Sequence, residues 1–145
     1  VDEVVEDSLR KSSDPARFAV YHEERITIKS DRQLLKSVVS NLLDNALKYS
    51  PPGSMVQLRV RQGMHEGLRG CELSVENEVA LRAGVATFPD EEQLFKKYYR
   101  ADSARRHSGS GLGLYLVANF VRLLGGAVCY ERQELSVRFI VWLPN

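Results

Sequence analysis

Apolar residues along this chain follow two periods, and the two periods divide it into helices and strands. Strict alternation of apolar and polar positions is typical of half-buried strands, whereas recurrence every three or four positions is typical of amphipathic helices. The helical period predicts helices over three stretches, 1–11, 30–49 and 111–124. The alternating period predicts strands over six stretches, 17–21, 26–29, 55–61, 71–75, 127–131 and 136–143.

Boundary residues sharpen these elements. Ser30 and Gln33 have the spacing of a capping box, in which each side chain bonds a free backbone N–H at the helix start. The helix that follows should end near Tyr49, because the next residues are Ser-Pro-Pro-Gly and proline cannot continue a helix. Glycines in 62–70 predict a hairpin loop, and Pro89 predicts the start of a short helix through residue 98.

The order of these elements indicates the fold class. A helix, strands, a second helix and further strands predict a layered α/β sandwich with a mostly antiparallel sheet. The segment Ser12 to Pro15 reads as a helix stop and turn, so residues 1–14 are predicted to form a separate helical segment before the main domain, 15–145.

Composition narrows the possible functions. The chain has 145 residues, 43% hydrophobic and 27% charged, which suits one globular domain. A net charge of +1 gives no global field that would favour nucleic acid or a membrane surface. Cys71 and Cys129 lie in apolar strand-like runs and are expected to be buried. Without a CxxC motif, a Cys/His metal site is not supported.

An asparagine stripe on the long helix is the first candidate site. At about 100° per residue, Asn41, Asn45 and Lys48 fall within roughly 60° of one another, beside the apolar stripe. A solvated polar edge and a functional face explain this set about equally well. Asparagine costs a helix up to about 0.7 kcal/mol relative to alanine. Amide oxygens can ligate Mg²⁺, and a lysine can neutralise a phosphate.

A glycine-rich helix start is the second candidate site. Glycines alternate at positions 109, 111 and 113, directly before the third helix. Such glycines let the backbone approach a ligand, and they aim free N–H groups and the helix dipole at an anion. The spacing matches neither the dinucleotide fingerprint nor the P-loop. Just before it lies a cationic cluster that is either a solvated loop or a lid, Arg100, Arg105, Arg106 and His107.

Taken together, three segments resemble motifs of the sensor histidine kinase catalytic ATP-binding domain (HATPase_c, GHKL superfamily). Residues 41–49 with Ser50-Pro51 resemble the N box, 95–102 the F box and 110–114 the G2 box. The resemblance covers nearly all of 17–144. It implies a two-layer α/β sandwich of the Bergerat type, with 1–14 as a helical linker or the tail of the dimerisation helices.

The resemblance also implies roles for individual residues in binding Mg-ATP. Asn45 would ligate Mg²⁺, Asn41 would support the phosphates or their waters, and Lys48 would contact phosphate. Tyr49 would pack near the adenine. The remaining implied ATP-binding residues belong to the lid and the helix start that wraps the triphosphate, namely Phe95, Arg100, Ser110, Gly111, Leu112, Gly113 and Leu114.

One motif departs from the family. The G1 box is usually Asp-x-Gly-x-Gly, and here Asn77 stands at the aspartate position, with Val79 and Leu81 near the places of the glycines. Asn77 could accept a hydrogen bond from the adenine amino group, but more weakly than a carboxylate. This degenerate G1 box motivates an alternative function, a regulatory scaffold with weak or no ATP binding.

Asn41 separates kinase from hydrolase within the superfamily. The related ATPases carry a glutamate general base at this position, and an amide cannot accept a proton from attacking water. Transfer to a histidine outside this chain segment is therefore favoured, because His22, His65 and His107 lie in no matching context. A superfamily ATPase and a nucleotide-free binding module remain as rivals.

The resemblance extends to partners and location. It implies two protein partners, the dimerisation and phosphoacceptor domain of the same protein and a response regulator, and it implies no nucleic acid. The parent protein would be a homodimer, and this domain would be cytoplasmic even where the parent is membrane-anchored.

Overall fold

The computed structural model describes residues 1–97 and 111–145. The helices in these residues are α1 (Asp2–Arg10), α2 (Arg32–Tyr49) and α3 (Gly113–Leu123), and a 3-10 turn spans Pro15–Arg17. The strands are β1 (Phe18–His22), β2 (Val56–His65), β3 (Leu68–Glu78), β4 (Leu81–Arg82), β5 (Val85–Ala86), β6 (Ala127–Arg132) and β7 (Ser136–Pro144). None of the described helices combines the length and apolar character needed to cross a membrane.

Five of the strands form one sheet in the order β1-β2-β3-β7-β6. β1 runs parallel to β2, and every other neighbouring pair is antiparallel. β4 and β5 form a separate small hairpin. The predicted two-layer α/β sandwich with a mostly antiparallel sheet is confirmed.

The core lies between the helices and one face of the sheet. The predicted apolar stripe of α2 is buried in full, as are the inward residues of β2, Val56, Leu58 and Val60. α1 joins the same core through Val4 and Val5. This packing places α1 against the main domain, while the functional boundary at residue 14 stays a prediction.

Two predictions about the segment before α2 are wrong. Residues 26–29 form no strand; the stretch instead buries Ile26, which is 5% exposed, and the Val1 amine donates to its carbonyl oxygen at 3.3 Å. The alternation of apolar and polar residues in 26–29 therefore reflects packing of one side of an extended segment on the core, without a partner strand. The N-cap of α2 is Asp31 rather than Ser30, because Asp31 Oδ1 accepts from the N–H groups of Gln33 and Leu34 at 2.9 and 3.0 Å.

The predicted hairpin loop over 62–70 is also too long. β2 and β3 continue through most of it and are joined by a two-residue turn at Glu66 and Gly67, with φ of 48° and 80°. The other two glycines make room for an aromatic ring, since Trp142 packs over Gly63 and Gly70. Glycine in a strand can mark such a close approach as well as a loop.

The short helix predicted from Pro89 is not formed in its described part. Residues 91–97 run through successive turns, in which Gln93 N–H donates to Asp90 O at 3.1 Å and Lys96 N–H to Gln93 O at 2.9 Å. A single helical turn gains too few hydrogen bonds to offset the ordering of its backbone. Residue 98 lies outside the described residues.

The two cysteines occupy different surroundings. Cys71 is buried as predicted, and burial raises the pKa of its thiol to about 11. Cys129 is exposed, so the prediction for it is wrong. Cys129 lies on the edge strand β6 and pairs with Ile140 of β7. Because side chains alternate between the two faces of a strand, the Cys129 side chain lies on the outer face of the sheet.

Candidate functional site

α2 and α3 meet where the asparagine stripe faces the glycine-rich helix start. A Cβ atom added at Gly113 would lie 3.3 Å from Asn41 Oδ1. Asn41 Nδ2 donates to the Ser37 carbonyl oxygen at 2.8 Å. Because a carbonyl can only accept, this bond fixes the amide orientation and leaves Oδ1 toward α3. The two candidate sites of the sequence are therefore one place in the fold.

The start of α3 presents backbone rather than side-chain caps. Gly111 has φ of 71°, a conformation that glycine adopts without strain. Leu112 occupies the N-cap position, and no side-chain cap is found for α3 in the described residues. The first N–H groups of a helix lack intrahelical partners and carry partial positive charge. Leu112, Gly113 and Leu114 are all half-buried, so this positive end lies in a sheltered place.

The last two turns of α2 carry the other residues of the stripe. Asn45 and Tyr49 are half-buried, and Lys48 is exposed. They follow Asn41 by four, eight and seven positions, which sets them on neighbouring rows of the helix surface. The helix thus offers an amide, a cation and an aromatic ring beyond the contact with Gly113.

Arg17 holds the segment after α2 through hydrogen bonds that the sequence pattern does not predict. Its Nε donates to Ser54 O at 2.8 Å, and its Nη2 donates to Ser50 Oγ, Pro51 O and Ser54 Oγ at 2.5, 3.1 and 3.2 Å. Arg17 lies 33 positions before Ser50. No local signal could have found this residue, because the turn that places it is set by the pairing of β1 with β2.

Asn77 lies near the end of β3, on the same helix-facing side of the sheet as Leu73 and Val75. It is 2% exposed. Its Nδ2 donates to the Glu78 carbonyl oxygen at 2.8 Å, which again fixes the amide orientation. Its Oδ1 is buried and has no hydrogen-bond partner among the described residues. A buried acceptor without a partner lowers the stability of the fold by about 1–3 kcal/mol, so the Asn77 oxygen is available to a donor outside these residues.

Asn77 shares one end of the sheet with the end of α2. It pairs with Val56, the first residue of β2, and residues 50–55 alone separate Val56 from Tyr49.

On the opposite face of β3, Glu76 accepts hydrogen bonds from Arg138 at 2.7 and 3.0 Å and from Ser136 at 2.9 Å. Partial burial alone would raise the pKa of Glu76, but these bonds outweigh it and lower the pKa. Glu76 therefore stays ionised and ties β3 to β7.

Phe95 packs edge-to-face on Phe139, with 6.1 Å between ring centroids. This packing agrees with an anchor for the segment that follows and equally with an ordinary core residue. The predicted site residues Arg100 and Ser110 lie outside the described residues, as do the other cations of the cluster at 105–107.

Within 1–97 and 111–145, no group of three or more His, Cys, Asp or Glu side chains could hold a metal ion. A cation at this site would take amide oxygen, phosphate and water ligands. Mg²⁺ suits such a set, because it usually keeps several waters and few protein ligands.

Comparison with known proteins decides the family. The model of the family described as "Histidine kinase-, DNA gyrase B-, and HSP90-like ATPase" matches residues 30–145. The chain belongs to this family. The matched range includes α2, the sheet from β2 onward and the start of α3, but not α1 or Arg17.

The curated proteins similar to this chain include sensor histidine kinases. The chain is 42% identical over 99 residues to the signal transduction histidine-protein kinase/phosphatase MprB of Mycolicibacterium smegmatis, covering 68% of the chain and 18% of that protein. It is 30% identical over 149 residues to the sensor protein kinase PmrB of Pseudomonas aeruginosa, covering 99% of the chain and 29% of that protein. The chain thus spans less than a third of the length of either relative.

Solved structures agree. The mycobacterial sensor histidine kinase MprB matches with a TM-score of 0.76 and 27% identity, covering 99% of this chain and 93% of that one. The catalytic domain of the histidine kinase ThkA matches with a TM-score of 0.72 at 20% identity, covering 99% and 90%, which supports the fold alone. The resemblance to the sensor histidine kinase ATP-binding domain is confirmed.

Proposed function

We propose that this domain binds Mg-ATP between α2 and the start of α3 and presents the γ-phosphate to a histidine outside the chain segment. The observation that carries the proposal is the closeness of Gly113 to Asn41, since a Cβ atom added at Gly113 would lie 3.3 Å from Asn41 Oδ1. It brings the helix start that is proposed to bind phosphate next to the amide stripe, and the nucleotide is proposed to bind in a cleft formed by the two. Family membership makes ATP the expected ligand.

The unpaired acceptor at Asn77 supports adenine as the base. With Nδ2 committed to the Glu78 carbonyl, only Oδ1 faces an incoming ligand. A 6-amino purine offers a donor to this atom, whereas a 6-oxo purine offers an acceptor and would be repelled. The locked amide therefore does the work of the aspartate found in the usual G1 box, with a weaker, uncharged bond.

Phosphate and metal binding would come from the rest of the cleft. Asn45 is proposed to offer its amide oxygen to Mg²⁺, Asn41 to hold the phosphates or their waters, and Lys48 to contact phosphate. The backbone from Gly111 to Leu114 is proposed to bind phosphate oxygens through its free N–H groups. Magnesium would neutralise the charge that develops on the phosphates during transfer.

Asn41 favours transfer to a protein nucleophile over hydrolysis. Its Nδ2 is bound to Ser37 O, and its amide oxygen cannot take a proton from water as a glutamate would. In the transfer, a histidine nitrogen attacks the γ-phosphorus and ADP leaves with the bridging oxygen. The domain positions the reactants and does no covalent chemistry itself.

The partners of the whole protein follow from the same proposal. The phosphoacceptor histidine would lie in a dimerisation domain of the same polypeptide, in a homodimeric parent protein, whether or not that parent is membrane-anchored. The phosphoryl group would then pass to a response regulator. The domain itself would be cytoplasmic, where ATP is available.

A second candidate function is a regulatory scaffold with weak or no ATP binding. The observation that favours it is Val79, which is 6% exposed and whose N–H donates to Leu135 O at 3.0 Å. The family has glycine near this position. A buried valine there restricts the backbone conformations available next to the adenine of a bound nucleotide. Calorimetry with Mg-ADP separates the two functions, since the scaffold predicts no binding at millimolar ligand.

The proposal is tested by titrating the wild type and Asn45→Ala with Mg-ADP. The wild type should bind in the micromolar range, and loss of the metal ligand should weaken binding by about 10- to 100-fold. With excess EDTA the two proteins should bind ADP about equally, because the lost interaction needs the metal. Asn119→Ala is a matched control, since Asn119, like Asn45, is a half-buried asparagine in a helix and is not among the proposed site residues. Equal affinity of Asn45→Ala and the wild type would remove Asn45 from the site.

A further inference from the structure

The C-terminal end of α2 is closed differently from that of α3. α3 ends in the usual way, with Gly125 at φ of 74° and the N–H groups of Gly125 and Gly126 returning to Arg122 O and Val121 O. α2 ends at Ser50 in an extended conformation, with φ of −94° and ψ of 155°. The prolines that follow bring no N–H groups back to the helix.

Arg17 holds the segment that follows this helix end, and its acceptors all lie in residues 50–54. Its guanidinium reaches Ser50 Oγ, Pro51 O, Ser54 O and Ser54 Oγ within 2.5–3.2 Å. Ser50 Oγ in turn donates to Leu47 O at 3.5 Å, in the last turn of the helix. A cation at a helix C-terminus also meets the negative end of the helix dipole favourably. Arg17 therefore ties the last turn of α2 to the start of β1.

Lys48 lies in the last turn of α2, which Arg17 reaches through Ser50 Oγ. Its side chain is exposed, so little packing holds it, and its direction depends on the backbone of the last turn. Lys48 is three positions beyond Asn45, on the same row of the helix. A frayed last turn would leave the ammonium group free to swing away from a phosphate at Asn45.

We infer that Arg17 is a positioning residue that holds Lys48 toward the phosphates of the bound nucleotide. The inference rests on the proposed function and extends it to a residue outside the stretch that the family model matches, 30–145. Arg17 contacts no ligand in this account and acts through the backbone of 47–54.

The test is a double-mutant cycle between Arg17 and Lys48, read as Mg-ADP affinity under conditions where every variant is folded. Arg17→Ala should weaken binding about fivefold to tenfold in the wild-type background, and less than about twofold in the Lys48→Ala background. Arg17→Lys should recover only part of the loss, because lysine keeps the charge but lacks the planar fork that reaches several acceptors. Should Arg17→Ala fail to fold, Arg17→Lys replaces it in the same cycle.

Arg61→Ala is the matched control, because it also removes an arginine from an ion pair, with Glu72 at 2.6 Å, on the outer face of the sheet. It should leave Mg-ADP affinity within about twofold of the wild type and so measures any general effect of lost charge. Equal losses from Arg17→Ala in both backgrounds would mean a general structural role and overturn the inference. So would unchanged affinity in a wild-type background that binds ADP. A wild type that binds no ADP would overturn the proposed function itself, and this inference with it.

Discussion

On the outer face of the five-stranded sheet, charged side chains from neighbouring strands pair with one another, whereas the helix-facing side buries the amide of Asn77 with its acceptor unpaired. Arg61 approaches Glu72 at 2.6 Å, and Arg138 approaches Glu76 at 2.7 Å. Asn77 Oδ1 has no such partner in the part of the chain that the structure describes. The two ion pairs satisfy their polar groups on the outer face, whereas no described residue satisfies the Asn77 acceptor on the inner face.

The same contrast separates two asparagines on facing helices. Asn41 and Asn119 each donate Nδ2 to the carbonyl four residues earlier, at 2.8 and 2.7 Å. Asn119 Oδ1 then accepts from Arg122 at 2.7 Å, whereas Asn41 Oδ1 faces Gly113. Identical residues in similar helical positions thus differ in where the acceptor points. That direction, rather than residue type, is why Asn41 and not Asn119 is proposed as a site residue.

If the outer face is structural, changes there should alter stability and leave binding unchanged. Gly70→Ala tests this with the largest expected effect. An added Cβ would overlap the Leu143 carbonyl oxygen and come within 2.7 Å of the Trp142 indole, so backbone must move. We expect the free energy of unfolding to fall by about 3 kcal/mol, measured by urea denaturation.

Gly63→Ala is the control for Gly70→Ala on the partner strand. Its Cβ would lie 3.0 Å from Glu72 Cβ, a milder overlap that a backbone shift of a few tenths of an ångström relieves, so we expect a loss of about 1 kcal/mol. Both variants should bind Mg-ADP like the wild type where they are fully folded. Weaker binding by folded Gly70→Ala would contradict the division between the two faces.

Asn77→Leu tests the helix-facing side of the sheet. Its effect on stability should be smaller than that of Gly70→Ala, and stability should rise while Mg-ADP affinity falls. Leucine fills a similar space without a polar atom, so the free energy of unfolding should rise by about 1 kcal/mol. Mg-ADP affinity should fall about tenfold, because the adenine amino group loses its acceptor. Calorimetry and urea denaturation measure the two changes. Glu72→Gln on the outer face should leave affinity unchanged, and a loss of stability without a loss of affinity in Asn77→Leu would refute the assignment.

The features that sequence predicted correctly are those encoded locally. The apolar stripe of α2 repeats within one helix, and Pro51 stops that helix wherever its partners lie, so both could be read without the fold. The asparagine stripe and the glycine-rich start were found for the same reason. Their meeting at Gly113 required the packing of α2 on α3, which no local pattern specifies.

The features that sequence missed depend on distant partners. Gly63 and Gly70 indicated a loop, but they accommodate Trp142, whose Nε1 lies 3.4 Å from the Gly63 carbonyl oxygen, 79 positions along the chain. Alternation over 26–29 indicated a strand, but Ile26 packs on one side without a paired neighbour. Arg17 carried no signal because its acceptors are 33 to 37 positions away. The local period of apolar residues predicts a helix or a strand, and only the assembled fold shows which residues that helix or strand contacts.

An ion pair between α1 and α2 offers the smallest test of the same rule, since its charges are matched like those on the outer face. Asp7 Oδ2 lies 2.5 Å from Lys36 Nζ and 3.2 Å from Lys11 Nζ. Hydrogen bonds from Lys36 and then Lys11 lower the pKa of Asp7 to about 2 from its ordinary value of 3.8. A carboxylate with a lowered pKa stabilises the fold above the unfolded pKa, and this stabilisation is lost as pH falls toward the folded pKa.

Asp7→Asn should therefore be less stable than the wild type at pH 6, and the gap in unfolding free energy should narrow as pH falls from about 4 toward 2. The gap should be small throughout, because the pair is partly exposed to solvent. Urea denaturation at a series of pH values measures it, with Glu6→Gln, exposed on the same helix, as the control whose gap should not narrow in parallel. Mg-ADP affinity at pH 7 should be the same in all three proteins, because a matched ion pair away from the cleft contributes to stability alone. A gap that stays constant down to pH 2.5 would mean that Asp7 gains nothing from its lysines in the folded state.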